Sequence, residues 1–417
     1  MRILLVNQCF YPDVVSTAQH LTDLALELKR RGHEVTVIAS SSGYDDPGKR
    51  FARREIWNGI MVHRTAGTRF GKGAPWRRVL DFGSFIILCA LRLIVTRRVD
   101  LVIAMTSPPL IYFFVAVIAR IKRWGFVLWI MDLNPDEAVA AGWLREGSAV
   151  AKALAAMLVH SLKCAEKIIV LDRFMRQRIL DKGIAAEKLC VIPPWSHEEV
   201  QRDPSGRERF RAIHRISDKY VVMYSGNHSP CHPLNTLLEA ARRVSDDERI
   251  AFCFAGGGSE LKKVESFVTH HGLRNVLILP YQPRAELSAS LSAADLHVVV
   301  MGDAFAGIIH PCKIYNVLSV CAPVLYIGPR ESHITDIFSE VPGGHSTYTA
   351  DHDDVEAVVR CLLEGADREL KAGFRSSVSH PFSKHAVVPR LIEALRLGSD
   401  LPVRRDCAVA DARVHIV

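Results

Sequence analysis

The sequence predicts two doubly wound α/β domains in a chain of 417 residues. Short apolar runs of strand length recur along the chain, and each is followed by a polar loop and a helix-type pattern. Nearly continuous apolar runs of this kind are typical of parallel strands that are buried on both faces. The same order repeats on either side of a polar, proline-containing stretch near the middle. The length also exceeds that of one ordinary hydrophobic core, so two domains are expected.

The first domain is predicted to span residues 1–193 as a series of parallel strand–helix units. It opens with the strand Arg2–Val6, a polar loop, and a helix whose apolar positions Leu21, Leu24 and Leu28 share one face. A glycine-containing turn ends this helix and leads into the strand Glu34–Ala39. The later predicted elements are the strands Asp100–Met105, Phe126–Met131, Lys167–Leu171 and Leu189–Ile192 and the helix Arg173–Asp181.

Residues 194–218 are predicted to form a linker with one short helix, because this stretch is polar and contains several prolines. A second strand–helix series follows over residues 219–380. Its predicted strands are Tyr220–Tyr224, Ala251–Ala255, Val276–Leu279, Leu296–Val300 and Val324–Ile327, and its predicted helices are Leu234–Val244, Glu260–His271 and Arg284–Ala293. Residues 381–397 are expected to form a C-terminal helix that could pack back on the first domain, and residues 398–417 a disordered tail.

The stretch Gly302–Gly328 contains the principal predicted site. Ala306-Gly307 reads as a tight loop, and Pro311 suits the first turn of a helix. A loop that opens into a helix leaves free N–H groups and a partial positive charge at the helix start. Lys313 would add a mobile ammonium at the same point, and the combination suits a pyrophosphate. An ordinary strand–helix–strand crossover with a surface lysine explains the same pattern.

The charge distribution favours an anionic partner. The chain carries 53 basic and 45 acidic residues, a net charge of +8, and much of the excess lies in the first third. Because no zinc-finger spacing or RNA-recognition signature accompanies it, an acidic membrane face is favoured over nucleic acid. Leu101–Ala119, which a Thr-Ser-Pro-Pro segment divides, and Val79–Thr96, which carries Asp81 and Arg92, are both predicted not to span a membrane. The second could lie in the membrane interface, anchored by its flanking arginines.

A cytoplasmic location is expected. The sequence begins directly with a strand and shows no signal peptide. Its ten cysteines lie mostly in apolar runs without a Cys-x-x-Cys pair, as expected of small core residues in a reducing compartment.

Two loops at predicted strand ends carry glycines that suggest close approach of a ligand. Ala255–Gly258 lacks the third glycine of the dinucleotide fingerprint, so it indicates a sharp turn or ligand contact more than NAD binding. Tyr224–His228 ends another strand with a glycine, at which a phosphate or sugar could approach the backbone. A metal site from His228, Cys231 and His232 is the alternative, but the spacing matches no standard zinc pattern, so no metal is predicted.

Asp132 and Asp136 are candidate catalytic or binding carboxylates. The strand Phe126–Met131 would deliver Asp132 to its carboxyl end, where a carboxylate could orient or deprotonate a hydroxyl. An Asx-type turn before Pro135 accounts for the same residues equally well. The sequence contains no Gly-x-Ser-x-Gly elbow and no P-loop.

Taken together, these segments resemble the family-4 glycosyltransferases of the GT-B fold, in the WbuB-like branch that builds surface polysaccharides and O-antigens. The likeness extends over nearly the whole chain to about Leu397. The segments that carry it are Asn7–Asp13, Arg31–Val35, Trp129–Asp136, Val191–Pro193, Tyr224–Asn227, Gly256–Gly258, Leu279–Pro283 and His310–Lys313.

The resemblance implies two Rossmann-like domains that face one another across a cleft, with the acceptor bound by the first and a nucleotide sugar, expected to be UDP-linked, by the second. It implies transfer with retention of anomeric configuration to a lipid-linked or saccharide acceptor, without metal or cofactor. The implied catalytic residues are Asp132 and Lys313. The implied donor-binding residues are Ser225, Gly226, Asn227, Gly257, Tyr281, Gln282, Gly307, Ile308, His310, Lys313 and Asn316, and the acceptor-binding residues are Tyr11, Ser16 and Asp136.

The chain also departs from the family pattern. Many members carry two glutamates where this sequence has Ile308 and Asn316, a glutamate where Ala306 stands, and a histidine in place of Met131. These departures keep open a catalytically silent GT-B protein that binds sugar nucleotides or acts as a scaffold. A third hypothesis is a nucleotide-sugar epimerase with the same two-domain fold.

Overall fold

The computed structural model describes residues 1–44, 48–68, 70–71, 75–197, 199–341, 346–369, 381–395 and 415–416. The chain divides into two compact units. Unit 1 comprises Met1–Pro193 together with Val388–Val417, and unit 2 comprises Pro194–Val387. Apart from residues 415–416, the tail predicted over 398–417 lies outside the described residues.

Unit 1 is built on one mainly parallel sheet. Its strands are β1 (Arg2–Val6), β2 (Glu34–Ser40), β3 (Arg54–Trp57), β4 (Ile60–Thr65), β5 (Leu101–Ala104), β6 (Gly125–Trp129), β7 (Lys167–Val170) and β8 (Leu189–Val191). The order across the sheet is β3-β4-β2-β1-β5-β6-β7-β8, and the two-residue strand His415–Ile416 pairs antiparallel with β3 at the edge. All pairs from β4 to β8 are parallel.

The antiparallel hairpin of β3 and β4 was not predicted. Its turn is Asn58-Gly59, with φ of 49° and 75°, and β4 then adds to the parallel sheet beside β2. An Asn-Gly pair between two apolar runs is a strong hairpin signal, because both turn residues must adopt positive φ.

Helices cover the sheet of unit 1. They are α1 (Ser16–Arg30), α2 (Pro75–Val95), α3 (Ile111–Lys122), α4 (Asp136–Ala140), α5 (Ala149–Cys164) and α6 (Arg173–Asp181). The apolar face predicted for α1 is confirmed, since Leu21, Leu24 and Leu28 are fully buried. Among the described residues, no helix is long and apolar enough to cross a membrane.

Unit 2 contains a wholly parallel sheet. Its elements in chain order are α7 (Pro204–His214), β9 (Tyr220–Asn227), α8 (Asn235–Arg243), β10 (Ile250–Gly257), α9 (Leu261–His271), β11 (Val276–Leu279), α10 (Leu287–Ser292), β12 (Leu296–Val300), α11 (Lys313–Ser319), β13 (Val324–Ile327), α12 (His333–Glu340), β14 (Thr347–Ala350) and α13 (Val355–Glu369). The sheet order is β11-β10-β9-β12-β13-β14. A final helix, α14 (Lys384–Ala394), contains the point at which the chain returns to unit 1.

The doubly wound class is confirmed in both units. In each unit the first strand, β1 or β9, lies in the middle of the sheet. The next strands along the chain extend the sheet on one side, and the later strands extend it on the other side. This reversal creates a crevice at the carboxyl ends of the strands, between β1 and β5 in unit 1 and between β9 and β12 in unit 2. Open α/β sheets bind their ligands at this point.

The short helix predicted within residues 194–218 is confirmed, but its assignment to a linker is wrong. Helix α7 is part of unit 2, because Phe210 is buried in a core cluster with residues of β9 and β10. Two arginines of α7, Arg207 and Arg211, also form ion pairs with the buried carboxylate of Asp295. The charged residues that suggested a linker therefore include two that form ion pairs between the helix and Asp295, the residue before β12.

Two predicted helices have different boundaries. The segment predicted as the helix Arg284–Ala293 is a 3₁₀ turn, Arg284–Glu286, followed by α10. Helix α11 begins at Lys313, so Pro311 precedes the helix and does not lie in its first turn.

Candidate functional site

The carboxyl ends of β9 and β10 bring two backbones unusually close together. Gly226 pairs with Gly256 across the two strands, and both have a φ of 139°, a conformation that favours glycine. A Cβ atom at residue 256 would lie 2.0 Å from the carbonyl oxygen of Gly226. Only glycine fits here, so the carboxyl ends of β9 and β10 present open backbone, and β9 also borders the topological switch point of unit 2.

Lys313 reaches this glycine edge from the start of α11. Its ammonium nitrogen lies 3.5 Å from the ring centroid of Tyr224, and a Cβ at residue 226 would lie 3.1 Å from the same nitrogen. The nitrogen is buried and has no hydrogen-bond partner among the described residues. Burial lowers the pKa of Lys313 from 10.5 to about 7. The interpretation of Lys313 as a surface lysine is therefore wrong, because its ammonium nitrogen is buried.

A buried ammonium without a carboxylate is energetically costly, since it has lost its water and gained only the face of one aromatic ring. An anion that entered beside Gly226 would restore the missing partner. A diphosphate suits the position, because it accepts hydrogen bonds from an ammonium and from backbone N–H groups at once.

Two histidines line the same region as neutral groups. The ring of His228 lies 5.0 Å from that of Tyr224, and neither of its nitrogens has a hydrogen-bond partner among the described residues. Burial and the Lys313 ammonium lower the pKa of His228 to about 4. The Nδ1 atom of His232 lies 2.8 Å from the Val300 carbonyl oxygen, and burial lowers the pKa of His232 to about 3. In the part of the chain that the structure describes, His228, Cys231 and His232 do not bring metal-ligating atoms together.

Several other predicted donor residues lie near these strand ends. Ser225 and Asn227 flank Gly226 at the carboxyl end of β9. The Tyr281 ring lies over Gly257, and its hydroxyl donates to the Gly257 carbonyl oxygen at 3.2 Å. Half of the Tyr281 side chain is exposed, as a platform for a planar ligand requires. Gln282, in contrast, donates to the carbonyl oxygen of Pro280 at 3.0 Å, within its own turn.

The residues before and within α11 are engaged inside unit 2. Gly307 has a positive φ of 70°, and the Ile308 side chain is buried. The Nε2 atom of His310 lies 2.7 Å from the hydroxyl of Tyr315. The carboxamide oxygen of Asn316 accepts a hydrogen bond from the backbone N–H of His197 at 3.1 Å. The structure therefore gives Ile308 and Asn316 packing and structural contacts, and their donor-binding roles stay predictions.

In unit 1, the loop after β6 carries a carboxyl pair. Asp132 is half-buried as a residue, but desolvation of its carboxyl group and the nearby Glu137 carboxylate raise the pKa of Asp132 to about 8. Desolvation also raises the pKa of Glu137, whose Oε2 accepts a hydrogen bond from Asn134 at 3.0 Å. The loop is tied to the end of β5, because the N–H groups of Met131 and Asp132 donate to the Thr106 hydroxyl. Glu137 was missed from the sequence, although it stands in the same acidic segment.

The predicted acceptor residues lie at the same edge of the unit 1 sheet, since the loops after β1 and β6 both flank β5 and all three strands are parallel. The Tyr11 ring stacks on Trp57, with centroids 4.3 Å apart. Ser16 opens α1, and its hydroxyl is buried without a hydrogen-bond partner among the described residues. Asp136 forms an ion pair of 2.7 Å with Lys182, so its carboxylate already has a cation.

Two family descriptions match successive parts of this chain. Residues 17–195 match the family described as "Glycosyl transferase 4-like domain". Residues 206–308 match the family described as "Glycosyl transferases group 1". The matches follow the division into unit 1 and unit 2.

Comparisons over nearly the whole chain also find proteins named as glycosyltransferases. The chain is 25% identical over 411 residues to the Escherichia coli (strain K12) protein named "Putative colanic acid biosynthesis glycosyl transferase WcaI", covering 94% of this chain and 95% of the relative. The crystal structure of Anabaena Alr3699/HepE in complex with UDP and glucose superposes with a TM-score of 0.67 at 15% identity, covering 95% of this chain and all of that one. WaaG, a glycosyltransferase involved in lipopolysaccharide biosynthesis, gives a TM-score of 0.64 at 16% identity, covering 88% and 91%.

Proposed function

Because this chain belongs to the family-4 glycosyltransferases of the GT-B fold, we propose that it transfers a sugar from a nucleotide-sugar donor to a lipid-linked or saccharide acceptor. The donor we propose is a UDP-sugar, the transfer retains the anomeric configuration, and it requires no metal. The pathway we propose is the assembly of an exopolysaccharide or O-antigen. The observation that carries the proposal is the buried, unpaired ammonium of Lys313 beside the glycine edge of β9 and β10.

In this proposal the diphosphate of the donor lies against Gly226 and Lys313. The departing UDP gains negative charge as the sugar bond breaks, and a preorganised ammonium in a water-poor site stabilises that charge more than water would. The nucleobase would lie against Tyr281, which already shields Gly257. A solved structure with this fold, that of Anabaena Alr3699/HepE, contains UDP and glucose, which supports a UDP-linked donor.

The acceptor hydroxyl is proposed to bind at the unit 1 edge that carries Asp132. The raised pKa of Asp132 means that this group holds a proton near neutral pH. It can therefore orient an acceptor hydroxyl by donating a hydrogen bond to its oxygen, while the leaving diphosphate takes the proton of that hydroxyl. The proposal needs no protein nucleophile, since the acceptor attacks the same face of the sugar that the diphosphate leaves.

The experiment is a turnover assay of the full chain with UDP-, GDP- and ADP-sugars and polyprenyl-linked or saccharide acceptors. We expect a glycosylated product from a UDP-sugar, with the donor's anomeric configuration by NMR and with rates unchanged by a metal chelator. Lys313→Met, a neutral side chain of similar length, should abolish transfer while leaving the fold intact. Unchanged turnover in Lys313→Met would remove Lys313 from the mechanism.

A catalytically silent sugar-nucleotide-binding or scaffold protein is the second candidate. It is favoured by the burial of Ile308 and by the use of the Asn316 carboxamide in holding His197, where many family members carry glutamates. Calorimetric binding of UDP-sugars without hydrolysis or transfer, across the same acceptor panel, would establish this function instead.

We also propose that the chain works in the cytoplasm, in peripheral contact with the anionic inner face of the cell membrane. The support is the basic excess in the first third of the chain, together with the expectation of a lipid-linked acceptor.

A further inference from the structure

Helix α2 exposes an apolar stripe that Gly83 and Ser84 interrupt near its middle. Eight large side chains of this helix are exposed, and their spacing of three, four and seven residues places them along one side. They are Trp76, Val79, Leu80, Ile87, Leu88, Leu91, Ile94 and Val95. Ile87, for example, is 62% exposed. Scattered apolar side chains are common on protein surfaces, but eight large ones along one side of a helix about 30 Å long indicate a binding surface.

The stripe is not simply the inner face of a poorly docked helix. The opposite side of α2 is well buried, with Phe85, Ile86, Cys89 and Leu93 packed toward α3 and the sheet strands β2 and β4. Helix α2 is therefore apolar on two sides, and the described residues of unit 1 bury only one of them.

Cations flank the stripe at both ends. Arg77 lies in the first turn of α2, and Arg97 and Arg98 follow its last turn; all three are exposed. The last turn of α3 lies beside the end of α2, because the Lys122 ammonium donates to the carbonyl oxygens of Ile94 and Thr96.

This contact brings two more exposed arginines, Arg120 and Arg123, and the 74% exposed side chain of Ile121 to the same end. None of these four arginines at the end of α2 forms an ion pair with another described residue: Arg97, Arg98, Arg120 and Arg123. Asp81, the one acidic residue of α2, is turned to the loop before the helix, where it accepts from the N–H groups of Phe70 and Gly71.

We propose that α2 is the membrane-docking element of this chain, lying in the interface of an anionic bilayer with its apolar stripe among the acyl chains. The flanking arginines then contact lipid phosphates. A second copy of the chain is a poorer occupant, because a two-fold contact of stripe against stripe would bring the arginine ends of both copies together. The inference rests on the peripheral membrane contact proposed above and adds the surface that makes it, by insertion as well as by charge.

Vesicle co-sedimentation of the full chain tests this inference. The double variant Ile87→Ser/Leu91→Ser should bind phosphatidylcholine–phosphatidylglycerol vesicles about a hundredfold more weakly than the wild type, since two large apolar side chains no longer enter the bilayer. The matched control is Ile213→Ser on α7 in unit 2, because Ile213 is 67% exposed but lies outside the stripe. This control should bind like the wild type.

A gain of binding is expected from the same stripe. Gly83 stands between Leu80 and Ile87 on the exposed side, and a Cβ there would meet no atom within 4 Å. Gly83→Leu should therefore strengthen vesicle binding about tenfold. Wild-type binding to pure phosphatidylcholine should be weaker, because the arginines then lack anionic partners.

Three outcomes would overturn the inference. The first is equal vesicle binding by the wild type, Ile87→Ser/Leu91→Ser and Gly83→Leu, which would leave a purely electrostatic contact elsewhere on the basic surface. The second is no binding of the wild type to anionic vesicles. The third is a wild-type dimer in sedimentation that the double variant dissolves, which would assign the stripe to a second copy. Circular dichroism and UDP binding without vesicles should be unchanged in every variant, so a failure of membrane docking is distinguishable from a failure of the sugar-transfer proposal.

Discussion

Replacing Lys313 with methionine should stabilise unit 2 at low pH. The folded protein holds this ammonium at a pKa of about 7, whereas its ordinary value is 10.5. At about 1.4 kcal/mol for each pH unit, this difference corresponds to roughly 5 kcal/mol of destabilisation whenever the group is charged in both states. This difference already includes the contact of the charged ammonium with the Tyr224 ring, so the gain expected from Lys313→Met is up to about 5 kcal/mol.

The sign and the pH window follow from the lowered pKa. Below pH 7 the folded and unfolded chains both carry the charge, so the destabilisation is complete. Between pH 7 and 10.5 the unfolded chain binds more protons than the folded one, so the stability of the wild type rises with pH. The advantage of Lys313→Met should thus be largest below pH 7 and disappear near pH 10.5.

Urea unfolding followed by circular dichroism over this pH range is the assay. Lys182→Met is the matched control, because Lys182 has a carboxylate partner, Asp136, at 2.7 Å. This control should leave the stability unchanged or lower it slightly. If Lys313→Met is no more stable than the wild type at pH 6, or if both variants change the stability equally, the buried ammonium does not destabilise the folded protein.

Three further changes have defined outcomes. Gly256→Ala should destabilise unit 2 by roughly 3 kcal/mol or more in urea unfolding, because its Cβ would lie 2.0 Å from the Gly226 carbonyl oxygen; a neutral result would contradict the close approach of the two strands. Tyr281→Ala should weaken UDP binding about tenfold in calorimetry, whereas Tyr281→Phe keeps the stacking surface and the affinity; equal loss in both would argue against stacking. Asp132→Asn should lower the rate of transfer at least about a hundredfold. The same change should raise stability increasingly from about pH 4 to pH 8, because the folded carboxyl binds its proton more tightly than the unfolded one; wild-type turnover would remove Asp132 from the mechanism.

Much of the fold was predictable because parallel strands that are buried on both faces appear in the sequence as runs of apolar residues. The strands β1, β5 and β12 lie within runs of apolar residues, and the structure buries almost every one of them. The hairpin of β3 and β4 was missed although Asn58-Gly59 marks its turn, because its strands carry charged residues. Helix α7 was mistaken for part of a linker, since two of its arginines pair with Asp295, a residue more than 80 positions away.

The candidate site was predictable in its residues but not in its chemistry. The pattern around Lys313 indicates a cation near a loop–helix junction, but nothing in that stretch indicates that the ammonium is buried. Its burial depends on Tyr224 and Gly226, which belong to a strand almost 90 residues earlier. The raised pKa of Asp132 likewise depends on how the following loop folds Glu137 back toward it.

The most direct test of the central claim is the number of protons taken up when UDP binds. Calorimetry at pH 8 in buffers of different ionisation enthalpy measures this number. Lys313 is mostly neutral at pH 8 in the unliganded protein, and a diphosphate beside it raises its pKa, so the wild type should take up close to one proton per UDP. Lys313→Met should take up none, and uridine, which lacks the diphosphate, should cause no uptake in either protein. Binding of UDP to the wild type without proton uptake, or with the same uptake in Lys313→Met, would contradict the account.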